Sequence, residues 1–201
     1  LHGHRWDITG LSGNDSLPCN LVTDNLNGLN GYPWNMKFLS GNKSLDWDLV
    51  SEYPQGLNGR PWDMKQLCRN SSFRWSLLSD NPDGLNGEPW NMQLLSGNPS
   101  LPEELLLDNL DGLGGKSWNI DVLSRNPAIP WHLVRHNPQG LGGKSWNMID
   151  MSYNKSLPWN LVTDFPDGFG RDWIASGISS IAYGNTCNGR RTKRATTESK
   201  I

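Results

Sequence analysis

The sequence predicts an all-α tandem-repeat protein, a solenoid of paired short helices, on three observations. Trp6, Trp34, Trp62, Trp90, Trp118 and Trp146 recur every 28 residues, with Trp173 following after 27. A second tryptophan column, Trp47, Trp75, Trp131 and Trp159, lies 13 residues after the first, with Cys19 and Glu103 in its remaining places. Asn14, Asn42, Asn70, Asn98, Asn126 and Asn154 keep the same period, as do Gly28, Gly56, Gly84, Gly112, Gly140 and Gly168. A period between 20 and 50 residues is the mark of stacked supersecondary units and outranks local propensity.

One unit, "PWNMKFLSGNKSLDWDLVSEYPQGLNG", supplies the elements in order. Asn35 is a good N-cap, and Trp34 before it is placed to pack on Leu39 at the fourth helical position. Met36 and Leu39 pair at i, i+3 on the short helix that follows. That helix is expected to end by Asn42, a residue that tolerates the left-handed conformation of many helix ends. Ser44 is the expected cap of a second helix, whose first turn accepts Pro18, Pro102, Pro130 and Pro158 and whose buried side is Leu45, Trp47, Leu49 and Val50. Pro and Gly then close it in a turn, as in Tyr53-Pro54-Gln55-Gly56 and Asn137-Pro138-Gln139-Gly140.

Helices of about two turns are unstable alone in water, so each unit must bury its apolar side against its neighbours. The predicted domain is a single solenoid over 1–183, with unit starts near 6, 34, 62, 90, 118 and 146 and a half-unit cap near 173–180. Both tryptophan columns are expected in its core. The rival architecture is a leucine-rich-repeat-like β/α coil, suggested by "LLSGNPSLPEEL". Its phase fails, because Gln93 and Ser100 fall where its strand needs apolar side chains. Residues 184–201 form a basic tail expected to be disordered. The chain opens at Leu1 in the middle of a unit, which predicts further units upstream.

The formal net charge is −2, but the tail carries Arg190, Arg191, Lys193, Arg194 and Lys200 against Glu198, so the body bears the acidic excess. Such a body is a poor binder of polyanions, and nucleic acid is expected, if anywhere, at the tail. No apolar run approaches membrane-spanning length, and no signal peptide is visible. Cys19, Cys68 and Cys187 form no even framework and predict buried, reduced thiols in a reducing compartment. The N-x-S sequons at Asn14, Asn42, Asn70 and Asn154 would suit a secreted protein instead.

The Asn-Pro-Asp-Gly turns, the Pro-Trp-Asn helix starts and the Leu-Pro-Trp-Asn-Leu-Val second helices resemble the Trp- and Asn-rich tandem repeats of large DNA viruses that infect amoebae and other protists. The resemblance covers about residues 1–180. It implies a viral origin and a binding or scaffolding role, in a virion or in host cytoplasm, with partners that include copies of the chain or other capsid components. The unit departs from the commoner pattern by its inserted "GLNG".

No order of Ser, His and Asp, no phosphate-binding loop and no paired C-x-x-C is present, so no enzymatic activity, metal or cofactor is expected. His132 and His136 lie four apart on one second helix, with Glu104 and Asp108 in the same columns one unit earlier. Solvated surface is the preferred reading of all four. The column Asp24, Glu52, Asp80, Asp108, His136 and Asp164 sits near second-helix ends, where carboxylates oppose the helix dipole. It either holds the turn through Asx-type bonds or forms an acidic ridge for a basic partner, through Asp80 and Asp108 above all.

Three columns vary while the frame stays fixed. They are Tyr32, Arg60, Glu88, Lys116 and Lys144; then Lys37, Lys65, Gln93, Asp121 and Ile149; then Gly41, Arg69, Gly97, Arg125 and Tyr153. Repeat proteins place recognition residues where change does not disturb stacking. The sequence therefore predicts a protein-binding scaffold that contacts its partner through these positions, with a helical nucleic-acid reader as the second class.

Overall fold

The structure, a computed structural model, describes residues 7–181. These residues are helical, and among them the only β pairing is five isolated bridges, so the all-α repeat holds and the β/α coil does not. The chain divides into two compact units, Leu1–Ser117 and Trp118–Ile201. The first carries α1 (Ile8–Ser12), α2 (Cys19–Thr23), α3 (Met36–Gly41), α4 (Trp47–Glu52), α5 (Met64–Arg69), α6 (Ser76–Asp80), α7 (Met92–Ser96) and α8 (Glu103–Asp108). The second carries α9 (Ile120–Arg125), α10 (Trp131–His136), α11 (Met148–Ser152), α12 (Trp159–Asp164) and α13 over residues 175–181. Trp6, Cys187 and the expected tail lie outside the described residues.

Odd-numbered helices begin each repeat and pack on one another in sequence, α1 on α3, α3 on α5 and α5 on α7 in the first unit, and α9 on α11 in the second. The first six of these, α1 to α11, are capped as the sequence predicts. The side chains of Asp7, Asn35, Asp63, Asn91, Asn119 and Asn147 accept from the backbone N–H three residues on. This satisfies one of the four donors that a helix start leaves unpaired.

The helix after each turn begins later than expected. Asp46, not Ser44, caps α4, and Pro18, Pro102, Pro130 and Pro158 are themselves the N-cap residues of α2, α8, α10 and α12, outside the first turn. The reason lies in Asn42, which also departs from expectation. Its backbone is extended, at φ −70 and ψ 126, rather than left-handed. Its side-chain oxygen accepts from Ser44 N–H at 2.8 Å, an Asx turn that occupies the residue expected to open the helix.

The other end of the Asn42 side chain holds the stack. Its amide donates to Ser12 O at 3.0 Å and Asn14 O at 2.9 Å in the preceding repeat. Asn70 does the same to Ser40 and Asn42, Asn98 to Cys68 and Asn70, and Asn154 to Ser124 and Asn126. Asn42, Asn70 and Asn154 are 3–4 % exposed, so these three sequons cannot carry a glycan while the ladder stands. Asn14, in the first described repeat, is exposed.

A serine column adds a second polar joint that sequence reading passed over. Ser12, Ser40, Ser96, Ser124 and Ser152 are fully buried. Ser12 donates back to Ile8 O at 2.6 Å and accepts from Asn35 N–H at 3.0 Å in the next repeat, and Ser124 repeats this with Ile120 and Asn147. The hydroxyl is small enough to sit between helices while satisfying one acceptor and one donor, which a buried backbone requires.

The first tryptophan column is buried as expected: Trp34, Trp62, Trp90, Trp118 and Trp146 are 1–5 % exposed. The indole N–H of Trp34 donates to Asn25 O, that of Trp62 to Tyr53 O and that of Trp146 to Asn137 O, all at 2.6–2.7 Å. The ring thus fills the core and caps the end of the preceding helix at once. Burying an indole of roughly 200 Å² contributes about 5 kcal/mol before entropy.

The second column is not core. Trp47, Trp75 and Trp131 are half-buried and Trp159 is 45 % exposed. These rings stand at or beside the first residue of their helices, at the margin of an apolar side formed by Leu45, Leu49 and Val50, which are buried. Trp47 and Trp75 instead stack edge-on against Phe73, at 5.3 and 5.0 Å between centroids. Cys19, in the same column, is exposed, contrary to expectation, whereas Cys68 is buried in the serine column.

Burial pushes the Cys68 thiol up to about 11. Its folded value lies above its unfolded one, so its contribution to stability is full below the ordinary thiol range and falls as pH rises towards 11. A thiolate-selective disulfide reagent at pH 8 is expected to modify Cys19 quickly and Cys68 only at the rate of unfolding. Equal native-state rates at the two sites, read by peptide mass spectrometry, would contradict the burial of Cys68.

Candidate functional site

The inserted "GLNG" turns out to be a miniature β-hairpin that carries the first variable column. Leu29 and Tyr32 exchange both backbone hydrogen bonds at 2.9 Å, around Asn30 at φ 49 and Gly31 at φ 78. Two central residues with positive φ are the mark of a type I′ turn, for which Asn-Gly and Gly-Gly are the preferred pairs. The same bridge joins Leu57 to Arg60, Leu85 to Glu88, Leu113 to Lys116 and Leu141 to Lys144. The Asn-Gly dipeptide is the sequence signal for this turn.

The hairpin holds its closing residue rigidly by backbone and leaves the side chain to vary. Tyr32, Arg60, Glu88 and Lys144 are exposed and Lys116 is half-buried. The glycine before each hairpin is fixed for a steric reason. A β-carbon on Gly28 would lie 2.0 Å from Tyr32 O.

The other two variable columns lie on the odd-numbered helices, four residues apart. Lys37, Lys65, Gln93, Asp121 and Ile149 are exposed, and so are Gly41, Arg69, Gly97, Arg125 and Tyr153. Residues four apart share a helix face, so each repeat offers two neighbouring variable positions beside its hairpin. Arg125 is already engaged by Asp150 of the next repeat at 3.2 Å. Tyr153 meets Ser176 through its hydroxyl at 2.8 Å.

Equivalent grooves open beside the hairpin column in both units. In the first, about 560 Å³ is bounded by Tyr32, Arg60, Asn35 and Thr9 over Trp34 and Met36. In the second, about 670 Å³ is bounded by Arg171, Asp172 and Asp121 over Trp146, Met148 and Phe169. Their floors are framework residues, and Tyr32 and Arg60 in the first and Asp121 in the second bring variable columns to their rims.

The acidic column is exposed at Asp24, Glu52, Asp80, Asp108 and Asp164. The turn-holding bond expected of it belongs to the next residue. Asn25, Asn109 and Asn137 donate from their side chains to the carbonyl four residues back at 2.8–2.9 Å. Asp164 pairs with Arg135 of the preceding repeat. His132 and His136 are exposed, with His136 Nδ1 2.7 Å from His132 O, and among the described residues no three His, Cys, Asp or Glu converge as metal ligands.

Among the exposed apolar side chains, Phe38, Leu107 and Leu110 were not singled out by the sequence. Leu107 stands in a column that otherwise reads Thr23, Ser51, Ser79, Arg135 and Thr163, and Leu110 where four repeats have proline. They are 41 and 37 % exposed. Departure of one repeat from its own chain's pattern was the signal.

Fold and surface together define an all-α tandem-repeat protein with a buried polar and indole framework and an exposed variable face. Comparison with protein-family models, curated proteins and solved structures gives no match. No helix among the described residues is long and apolar enough to cross a membrane.

Proposed function

We propose that the chain is a non-enzymatic scaffold that binds other protein through its variable face. One observation carries this reading: the recurring asparagine, serine and first-column tryptophan side chains are consumed in stacking, while the changing ones stand on hairpins and helices that the stack holds in place. Binding sites that must be varied without loss of fold take this form. The grooves are shallow and open, suited to side chains of a partner surface rather than to an enclosed small molecule. The setting we propose, a virus particle, is supported by the resemblance of the repeats to those of large DNA viruses.

The test is capture of partners from the native source on the immobilised chain, with mass spectrometry, in parallel with a variant carrying Arg60→Ala, Lys65→Ala and Arg69→Ala. The expected outcome is a discrete set of proteins retained by the native chain and lost from the variant, whose melting curve is unchanged. Retention that is identical on both columns would remove the variable face from the function. A strongly salt-dependent retention of nucleic acid in place of protein would favour the second class instead.

A further inference from the structure

The unit over 1–117 carries two exposed fields of opposite charge on different rows of helices. On the odd-numbered row, Lys37 on α3, Arg60 on the next hairpin, and Lys65 and Arg69 on α5 are all exposed. Helices α3 and α5 pack directly together, so these four cations belong to adjacent repeats, separated by a helix spacing of roughly 8–10 Å. None of the four is in an ion pair with a described residue. Tyr32, on the hairpin before α3, and Phe38, beside Lys37 on α3, are 41 and 46 % exposed.

On the even-numbered row, Asp80 ends α6 and Asp83 follows in its turn, while Asp108 ends α8 and Asp111 follows in its turn. These carboxylates too are exposed and in no ion pair with a described residue. Leu107 and Leu110 lie among them. Leu107 replaces the serine, threonine or arginine of every other repeat, and Leu110, like Leu26 in the first repeat, replaces the proline of the other four. At these positions each row carries charge of one sign, and each has the complement of the other: cations with aromatic neighbours on one, carboxylates with leucines on the other.

We propose that the occupant of the α3–α5 face is the α6–α8 edge of a second copy of this chain. The inference rests on the protein-binding reading above and names its partner. Opposed fields of this kind steer encounter and fix register, and the apolar residues within each field supply the area that is removed from water. A nucleic acid fits the face less well, because the next hairpin residue of the same column is Glu88, which would meet a phosphate backbone running along the row. The two surfaces are unlike, so the contact is heterologous, and copies add one to the next.

Sedimentation velocity on the full chain tests this. The weight-average sedimentation coefficient is expected to rise with concentration at about 50 mM salt and to return to the monomer value at about 500 mM, where charges more than a few ångströms apart are screened. A Lys37→Glu, Lys65→Glu, Arg69→Glu variant and an Asp80→Lys, Asp108→Lys variant, each with unchanged circular dichroism, are each expected to remain monomeric. Mixed in equal amounts they are expected to associate, because each keeps the surface that the other lacks.

A native chain that is monomeric throughout overturns the proposal, as does a mixture that fails to associate. Association that survives the Lys37, Lys65, Arg69 change overturns it too, and transfers the cationic role to Arg190, Arg191, Lys193 and Arg194. A short single-stranded oligonucleotide retained by a monomeric native chain, and lost with that same change, assigns the face to nucleic acid. If the chain is monomeric yet still loses captured partners with the Arg60, Lys65, Arg69 variant, the scaffold reading stands and the self-contact alone fails.

Discussion

Replacing Asn70 by alanine is expected to lower unfolding free energy by roughly 3–5 kcal/mol, more than any substitution on the variable face. Its side chain makes three hydrogen bonds in a site that is 3 % exposed: to Ser40 O at 3.2 Å, to Asn42 O at 2.9 Å, and from Ser72 N–H at 2.9 Å. Alanine leaves the Ser40 and Asn42 carbonyls buried without replacement, and each orphaned buried group costs about 1–3 kcal/mol. Asn70→Asp is expected to be worse, since a carboxylate keeps the acceptor for Ser72 and sets negative charge against two carbonyl oxygens.

Urea titration at pH 7, followed by indole fluorescence, gives the comparison. The aspartate variant is expected to recover towards the alanine one as pH falls below the carboxylate range, when a proton restores one donor. The denaturant slope is also expected to fall, because a broken joint uncouples the repeats on either side. A loss under about 1 kcal/mol for both variants would sink the claim that the asparagine ladder joins the stack.

Gly56→Ala is expected to destabilise by at least about 3 kcal/mol, and Gly59→Ala, three residues later in the same loop, by about 1 kcal/mol. Both glycines have positive φ, +96 and +68, so propensity alone does not separate them. The difference is space. A β-carbon on Gly56 would fall 1.9 Å from Arg60 O and 2.7 Å from Pro61 Cα, both backbone atoms. The hairpin must open to admit it, and its opening removes the anchor of the Arg60 side chain. A β-carbon on Gly59 meets nothing within 4 Å, and its φ lies in the left-handed region that asparagine also visits. Thermal melts of the two variants are expected to differ by several degrees, and equal shifts would deny the close approach.

Much of the local structure was legible. The N-caps at Asn35, Asp63 and Asn119 followed from side-chain chemistry that acts within four residues, and the turn at Tyr53–Gly56 followed in the same way, with Gly56 N–H bonded to Tyr53 O at 2.9 Å. The hairpin was equally local and was legible in Asn30-Gly31, but it was read only as an insertion. The exposed columns at Lys37 and Arg69 were found because internal repetition separates constrained from unconstrained positions without any outside comparison.

What the sequence determined by itself is the repeat unit: its period, its paired helices, the caps of its first helices and its Pro-x-Gly turns, because backbone conformation and short-range hydrogen bonds depend on residues a few places apart. Which members of the recurring set join one repeat to the next was decided only by the tertiary structure. Trp34 and Trp47 recur alike, yet one is buried and the other half-buried, and Asn42 and Ser12 show no sign of joining repeats until their partners in the adjacent repeat are seen. A side chain's burial and its distant hydrogen-bond partners depend on how neighbouring repeats are placed against it, and periodicity records that a residue is needed without recording which neighbour needs it.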